Sequence, residues 1–191
     1  MSKTNKKTPG RPRSVKSHQA ILKATLELLG DVGFDRMSIE AVANRAGVGK
    51  TTIYRRYSSK AELVADAIES IRQDVVIPNT GNLRQDLDEL IESAARITLT
   101  PLGKQTVATI ISSATSNSQF AQIYQTKYLQ PRKKAFAVVI ERAKTRNEIK
   151  DELDPDLVFD TMSGIMLYAL IFPPKSESWT EYVRRALHLL F

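Results

Sequence analysis

Apolar residues recur at helical intervals along almost the whole chain, and the polar breaks between them are short. Ile21, Leu22, Leu28 and Leu29, with Thr25 on the same face, predict a helix from Ser14 or Val15 to about Asp31. Gly33 ends it and Phe34 packs back on the core. Ile39, Val42, Ala43 and Ala46 mark a second, short helix, with Ser38 as its cap and Glu40 in its first turn, where the dipole favours a negative charge. Gly47 supplies a turn where a side chain would hinder. A third helix is expected from Lys50 to Tyr57, with Ile53 and Tyr57 facing inward. Ser59 and Glu62 have the spacing of a capping box, and Leu63, Val64, Ala67, Ile68 and Ile71 form the next stripe.

Past a break at Pro78 to Gly81, Leu83, Leu87, Leu90, Ile91 and Ala94 predict a fifth helix. Pro101 and Gly103 mark a junction before the apolar segment from Val107 to Ile111. A long helical region follows from about Gln119 to Arg146, bent or interrupted at Pro131. Asp154 and Pro155 read as cap and first residue of the next helix, which carries Phe159, Met162, Ile165, Met166, Ala169 and Leu170. Pro173 and Pro174 stop it. A final helix from roughly Ser176 to Leu190 carries Trp179, Tyr182, Val183, Ala186, Leu187 and Leu190.

Charge adds an asymmetry to this all-helical pattern. Residues 1–60 hold 13 Lys or Arg against 4 Asp or Glu, while residues 61–191 hold 15 against 17. The net charge of +7 therefore resides at the start of the chain, where it suits a polyanion: DNA, RNA or an anionic membrane. The absence of Cys excludes disulfides and Cys-ligated zinc. There is no apolar run of membrane-spanning length, and the lysine-rich start has no adjoining hydrophobic segment of the secretory kind, so a cytoplasmic protein is expected.

The run SIEAVANRAGVGKTTIYRRYSSKAEL, from Ser38 to Leu63, decides among the polyanions. Two short helices around a glycine turn form a helix-turn-helix, whose second helix keeps its apolar side anchored while Lys50, Thr51, Thr52, Tyr54, Arg55 and Arg56 face a major groove. Before it, residues 1–13 form a flexible basic arm in which the prolines of the Pro9 to Arg13 stretch keep the chain extended. Arg11 and Arg13 are placed to reach a minor groove, against the alternative of a soluble disordered tail. Lys60 opens the helix after the motif, where a cation has a small local cost that a phosphate contact would offset. The two last helices, with Phe159, Met162, Met166, Ala169, Leu170, Trp179, Tyr182, Val183, Ala186 and Leu187, either complete the core of one chain or supply the face on which two chains form a four-helix bundle. A dimer gives a short recognition helix its use, because two of them contact paired half-sites.

The helix from Ile21 to Leu29, Gly33-Phe34, the Ser38 to Leu63 run and the all-helical remainder together resemble the TetR family of transcriptional regulators, with the likeness concentrated in residues 14–71. DPDLVFDTMSGIMLYALI is similar to the eighth helix in one group of family C-terminal domains. The resemblance implies an all-α chain of about nine helices: an N-terminal three-helix DNA-binding domain (14–60) and a helical ligand-binding and dimerisation domain (61–191) that includes the connecting helix. It further implies a homodimeric repressor released from a double-stranded DNA operator by a small molecule. By position it assigns Ser38 and Lys60 to phosphates, Thr51, Thr52 and Arg55 to the recognition face, and Tyr54 to the DNA backbone. Gly49 stands where many relatives have serine, which removes one phosphate contact.

No cofactor is expected, and the sequence holds no recognisable catalytic constellation. GVGKTT is not a phosphate-binding loop, since its first glycine would have to stand at Asn44 and no strand precedes it. Asp86 and Glu89 read as solvent-facing helix positions, and His18 as a surface or phosphate-contacting residue. For an effector the expected lining is Arg96, Thr106, Thr109, Tyr124, Tyr128, Met162 and Met166, a mixture suited to an apolar or aromatic molecule. The alternative is a dimeric DNA-binding activator or architectural protein without an effector.

Overall fold

A proline at the first turn and a glycine near the last delimit the opening helix, α1 (Pro12–Arg36). The computed structural model describes residues 12–71 and 76–189. Because Pro12 suits a first helical position, Arg13 belongs to the helix and not to an extended arm, whereas Arg11 lies outside the described residues. One face of α1 buries Ile21, Leu22, Ala24, Leu28 and Leu29, and the buried Thr25 donates its hydroxyl to the Ile21 carbonyl at 2.8 Å. At Gly33, φ is 76° and ψ 172°, a conformation open to glycine alone; the break expected there is real, although helical turns resume to Arg36 and seat Phe34 inside.

α2 (Ile39–Ala46) begins on Ser38, whose side chain accepts from the Ala41 N–H at 3.1 Å. It ends on Gly47 in the left-handed region, with the Val48 N–H returning to the Ala43 carbonyl at 3.0 Å. α3 (Lys50–Tyr54) is shorter than expected. Its last turn tightens, with the Arg56 and Tyr57 N–H groups both donating to the Ile53 carbonyl, at 2.8 and 3.0 Å, so Tyr57 still reaches the core. α4 (Lys60–Ser70) is capped by Ser59, but the capping box is not closed: the Glu62 carboxylate accepts from the Ser58 N–H (2.9 Å) and hydroxyl (2.7 Å) instead. Six of its eleven residues are buried, and it packs on α1. α4 thus belongs to the first of two compact units, 1–71 and 72–191, and the expected boundary at residue 60 moves to the end of this helix.

The second unit contains α5 (Leu83–Thr98), α6 (Pro101–Ser116), α7 (Ser118–Tyr124), α8 (Gln130–Thr145), α9 (Pro155–Ile171) and α10 (Trp179–Leu187). Thr100 caps α6 with Pro101 at its first turn, and Asp154 with Pro155 does the same for α9. Between α7 and α8, Gln125–Leu129 forms a π-helical turn. Pro131, without an N–H and with a ring that crowds the preceding turn, is met by this widened turn and not by a gap. α7 and α8 therefore form one interrupted rod, and the described residues contain nine rods in ten α-helical pieces. α10 starts three residues later than expected, on a closed capping box between Ser178 and Glu181; Leu190 lies outside the described residues.

Leu87, Leu90 and Ile91 of α5, Phe136, Val139 and Ile140 of α8, Val158 and Met162 of α9, and Trp179, Val183 and Leu187 of α10 form the core of this unit. The residues expected on a dimer face divide between this core and its margin. Met162, Ala169, Trp179, Val183 and Leu187 are buried within the chain, and Phe159, Met166, Leu170, Tyr182 and Ala186 are half-buried. The most apolar stripe of each helix closes its own core, which is where burial of such residues is most favourable.

Asp86 was expected at the surface and is fully buried; Glu89 is exposed. The segment before α5 folds over the Asp86 carboxylate, which accepts from the Thr80 N–H (2.7 Å) and hydroxyl (2.8 Å), with the Arg146 guanidinium 3.7 Å away. The turn after α8 completes the joint. Asn147 (φ 56°) swings Glu148 toward the start of α5, where its carboxylate accepts from the Leu83 N–H at 2.6 Å and from Arg146 Nε at 2.5 Å. These hydrogen bonds, that of Arg146 foremost and then that of Leu83, hold the Glu148 carboxyl below the ordinary glutamate range.

Candidate nucleic-acid interface

Ile53, fully buried, and Tyr57, nearly so, fix the inner side of α3, and helical geometry then dictates what faces out. Lys50, Thr51, Tyr54 and Arg55 share the exposed face, with Thr52 and Arg56 half-buried at its margins. Tyr54 leaves 60% of its surface in solvent, an unusual place for an aromatic ring in a unit this small and one that favours a partner. The Lys50 ammonium pairs with Glu40 of α2 at 2.9 Å; both side chains are at least half exposed, so the pair holds the lysine only loosely. Arg45 pairs with Asp31 across the first unit at 2.6 Å.

Gly47, Val48 and Gly49 are the whole turn between α2 and α3. Gly49 occupies the cap position of α3 without a side chain to offer, so the first amides of the recognition helix have no side-chain acceptor there. Ser38 spends its oxygen lone pair on the cap of α2 and keeps its hydroxyl proton for an outside acceptor.

Lys60, expected on a phosphate, has partners within the chain. Its ammonium donates to the carbonyls of Phe34 (2.8 Å), Met37 (3.1 Å) and Asp35 (3.3 Å), and it lies 4.5 Å from the centre of the Phe34 ring. Two further ties were not visible in the sequence. The Tyr57 hydroxyl donates to Asp66 of α4 at 2.6 Å, and His18, expected at the surface, lies half-buried with Nδ1 3.5 Å from the same hydroxyl. The one hint was a lysine at the unfavourable end of its own helix.

The residues expected around an effector fall at several places in the second unit. Arg96 is exposed and lines an open groove of about 560 Å³ beside α5 with Val76, Asp88, Glu89, Glu92, Ser93 and Ile97. None of the other six lines it. Asp88 and Glu92 there already accept from Arg184, at 2.7 and 3.2 Å. Thr106 is nearly buried and turns its hydroxyl back to the Leu102 carbonyl, while Thr109 is half-buried. Tyr124 is buried between Phe120 and Tyr128, ring centres 5.6 and 5.5 Å away. Met162 sits in the core, and half-buried Met166 packs against its edge. Among the described residues no helix is long and apolar enough to cross a membrane, and no group of three or more metal-ligating side chains is present.

Two family models match the chain. One, for the bacterial regulatory proteins of the tetR family, covers residues 21–67; the other, for the tetracyclin repressor-like C-terminal domain, covers residues 77–190. An uncharacterized HTH-type transcriptional regulator of Mycobacterium tuberculosis, Rv1556, is 36% identical over 87% of this chain and 80% of its own length. The uncharacterized HTH-type regulator YdeS of Bacillus subtilis is 32% identical over 92% and 88%. Two solved structures share the fold at lower identity. The flavonoid-responsive regulator FrrA is 19% identical (TM-score 0.70, 92% of this chain and 95% of that one). FadR of Bacillus subtilis in complex with stearoyl-CoA is 16% identical (TM-score 0.65, 91% and 97%).

Proposed function

The chain belongs to the TetR family of transcriptional regulators, DNA-binding proteins and not enzymes, and from that premise we propose that it is a homodimeric repressor that leaves a palindromic operator when a small molecule binds. The observation that carries the DNA half of this reading is the exposed face of α3, basic and hydroxyl-bearing, on a helix locked from behind by Ile53 and Tyr57. Arg55 and Lys50 face base edges, Thr51 and Thr52 supply shorter polar contacts, and Tyr54 and Arg56 lie along the backbone with the Ser38 hydroxyl.

Pairing of two chains is supported by a second apolar face of α9. Leu157, Tyr168, Ile171 and Phe172 leave 54 to 64% of their surface in solvent, and Gly164 stands open between them. Leu157, Gly164, Tyr168 and Ile171, spaced by seven, four and three residues, make one stripe apart from the buried Val158, Met162 and Ala169, with Phe172 just past the helix end, and the glycine allows a neighbouring helix to approach closely. A second copy covers this stripe and brings two recognition helices to paired half-sites.

For the effector, the support is the helical second unit and what is named for similar folds: flavonoid response for FrrA, and a stearoyl-CoA complex for FadR. An apolar or aromatic molecule suits the Tyr124 to Tyr128 ladder. Selection of bound fragments from a genomic library, followed by footprinting, tests the proposal. A symmetric protected site spanning two half-sites is expected, and binding that depends only on duplex length and salt would refute it.

A further inference from the structure

Lys60 opens α4, the end of a helix at which a cation is disfavoured. The structure shows what offsets that cost. The ammonium is delivered to the carbonyls that follow the break in α1, so the lysine at the wrong end of its own helix is at the right end of its neighbour. Three acceptors at 2.8 to 3.3 Å match the three N–H bonds of an ammonium, and the Phe34 ring closes over it. Six residues along α4, the Asp66 carboxylate accepts a hydrogen bond from the hydroxyl of Tyr57, the residue that anchors the end of the recognition helix. α4 thus grips the segment entering α2 with one side chain and the segment leaving α3 with another.

We propose that Lys60 and Asp66 are positioning residues for DNA recognition, acting from inside the protein, and that Lys60 serves operator binding through this tie and not through a phosphate. The inference rests on the DNA-binding reading above. With both ties intact, α2 and α3 keep one fixed setting on α4, so a shift of α4 moves the reader as a single body; with either tie cut, one of the two segments loses its grip and that setting loosens.

Charge chemistry separates this role from a phosphate contact. A phosphate-contacting lysine contributes about one unit to the slope of log affinity against log salt and is replaced well by arginine. A half-buried lysine whose three N–H bonds are taken by converging carbonyls adds little to that slope, and a planar guanidinium fork does not fit its cradle. The experiment measures wild type, Lys60→Met, Lys60→Arg and Tyr57→Phe on the operator duplex recovered by selection and on a random duplex of equal length, across a salt series. Thermal melts fix the folded fraction of each.

Wild type must prefer the operator, otherwise the DNA-binding reading itself fails. Given that preference, Lys60→Met and Lys60→Arg are expected to lose about tenfold or more in operator affinity, from the charge-assisted bonds removed, with little change on the random duplex and the wild-type salt slope. Tyr57→Phe, which alters no charge, is expected to reduce the ratio of operator to random binding. A slope shallower by about one unit together with full rescue by Lys60→Arg overturns the proposal in favour of a phosphate contact. Equal loss on both duplexes in proportion to the unfolded fraction overturns it in favour of a general stabilising role. If Lys60→Met fails to fold, Lys60→Arg and Tyr57→Phe carry the test, and wild-type behaviour of both refutes it.

Discussion

Arg55 and Lys60 stand five residues apart, both basic and both within the recognition motif, yet the fold gives them opposite surroundings. Arg55 faces solvent at the end of α3, and replacing it with alanine is expected to cost about 1 to 3 kcal/mol of discrimination at one base pair of the operator. Binding to operators carrying single base-pair changes reads this directly: a uniform loss across all variants would assign Arg55 to the backbone instead. Sequence pattern sufficed for Arg55, because helical spacing from Ile53 and Tyr57 fixes its direction. It did not suffice for Lys60, whose partners are main-chain carbonyls that carry no side-chain signature, or for Asp86, which the preceding segment covers through the Thr80 N–H and hydroxyl. Glu148 shows the same effect in its titration. Its hydrogen bonds to Arg146 and to the Leu83 N–H favour the charged form, so the folded-state pKa lies below the ordinary 4.5 of an unfolded glutamate. The stabilisation is complete above that ordinary value and is lost as the pH falls through the folded one. Thermal melts from neutral pH down to about 3 are expected to show wild type losing an acid-sensitive increment that Glu148→Gln lacks; parallel pH curves for the two would remove the assignment.

Elements were easier to foresee than their orientation. The apolar period and the cap pairs placed nearly every helix, and Pro131 announced an interruption, though not that a π turn would absorb it. Both faces of α9 are apolar, so periodicity there had nothing to choose between. The stripe with Met162 and Ala169 went to the core and left Leu157, Tyr168, Ile171 and Phe172 outside. Placing a charge on the outer stripe tests which face pairs two chains. Tyr168→Glu is expected to convert the dimer to a folded monomer in sedimentation velocity and to weaken operator binding by at least about tenfold, through loss of the second half-site. Unchanged association would place the interface elsewhere. Trp179→Glu, by contrast, strikes the core and is expected to unfold the second unit.

At the scale of the whole molecule, charge and packing divide the chain at different points. The positive excess ends near residue 60, where the family resemblance also placed the expected boundary. Packing continues through α4, whose Ala61, Leu63, Val64, Ala65, Ala67 and Ile68 are buried in the first unit. The consequence is practical for modular exchange. A chimera that grafts this reader onto another regulator's C-terminal half is expected to fold and keep its operator preference when the junction follows Ile71. A junction after Lys60 substitutes a foreign helix for six core residues and is expected to yield an insoluble or promiscuous hybrid, measured by yield and by operator over random binding. The transplantable cassette is longer than the recognition motif, and the helix that connects the halves travels with the DNA end.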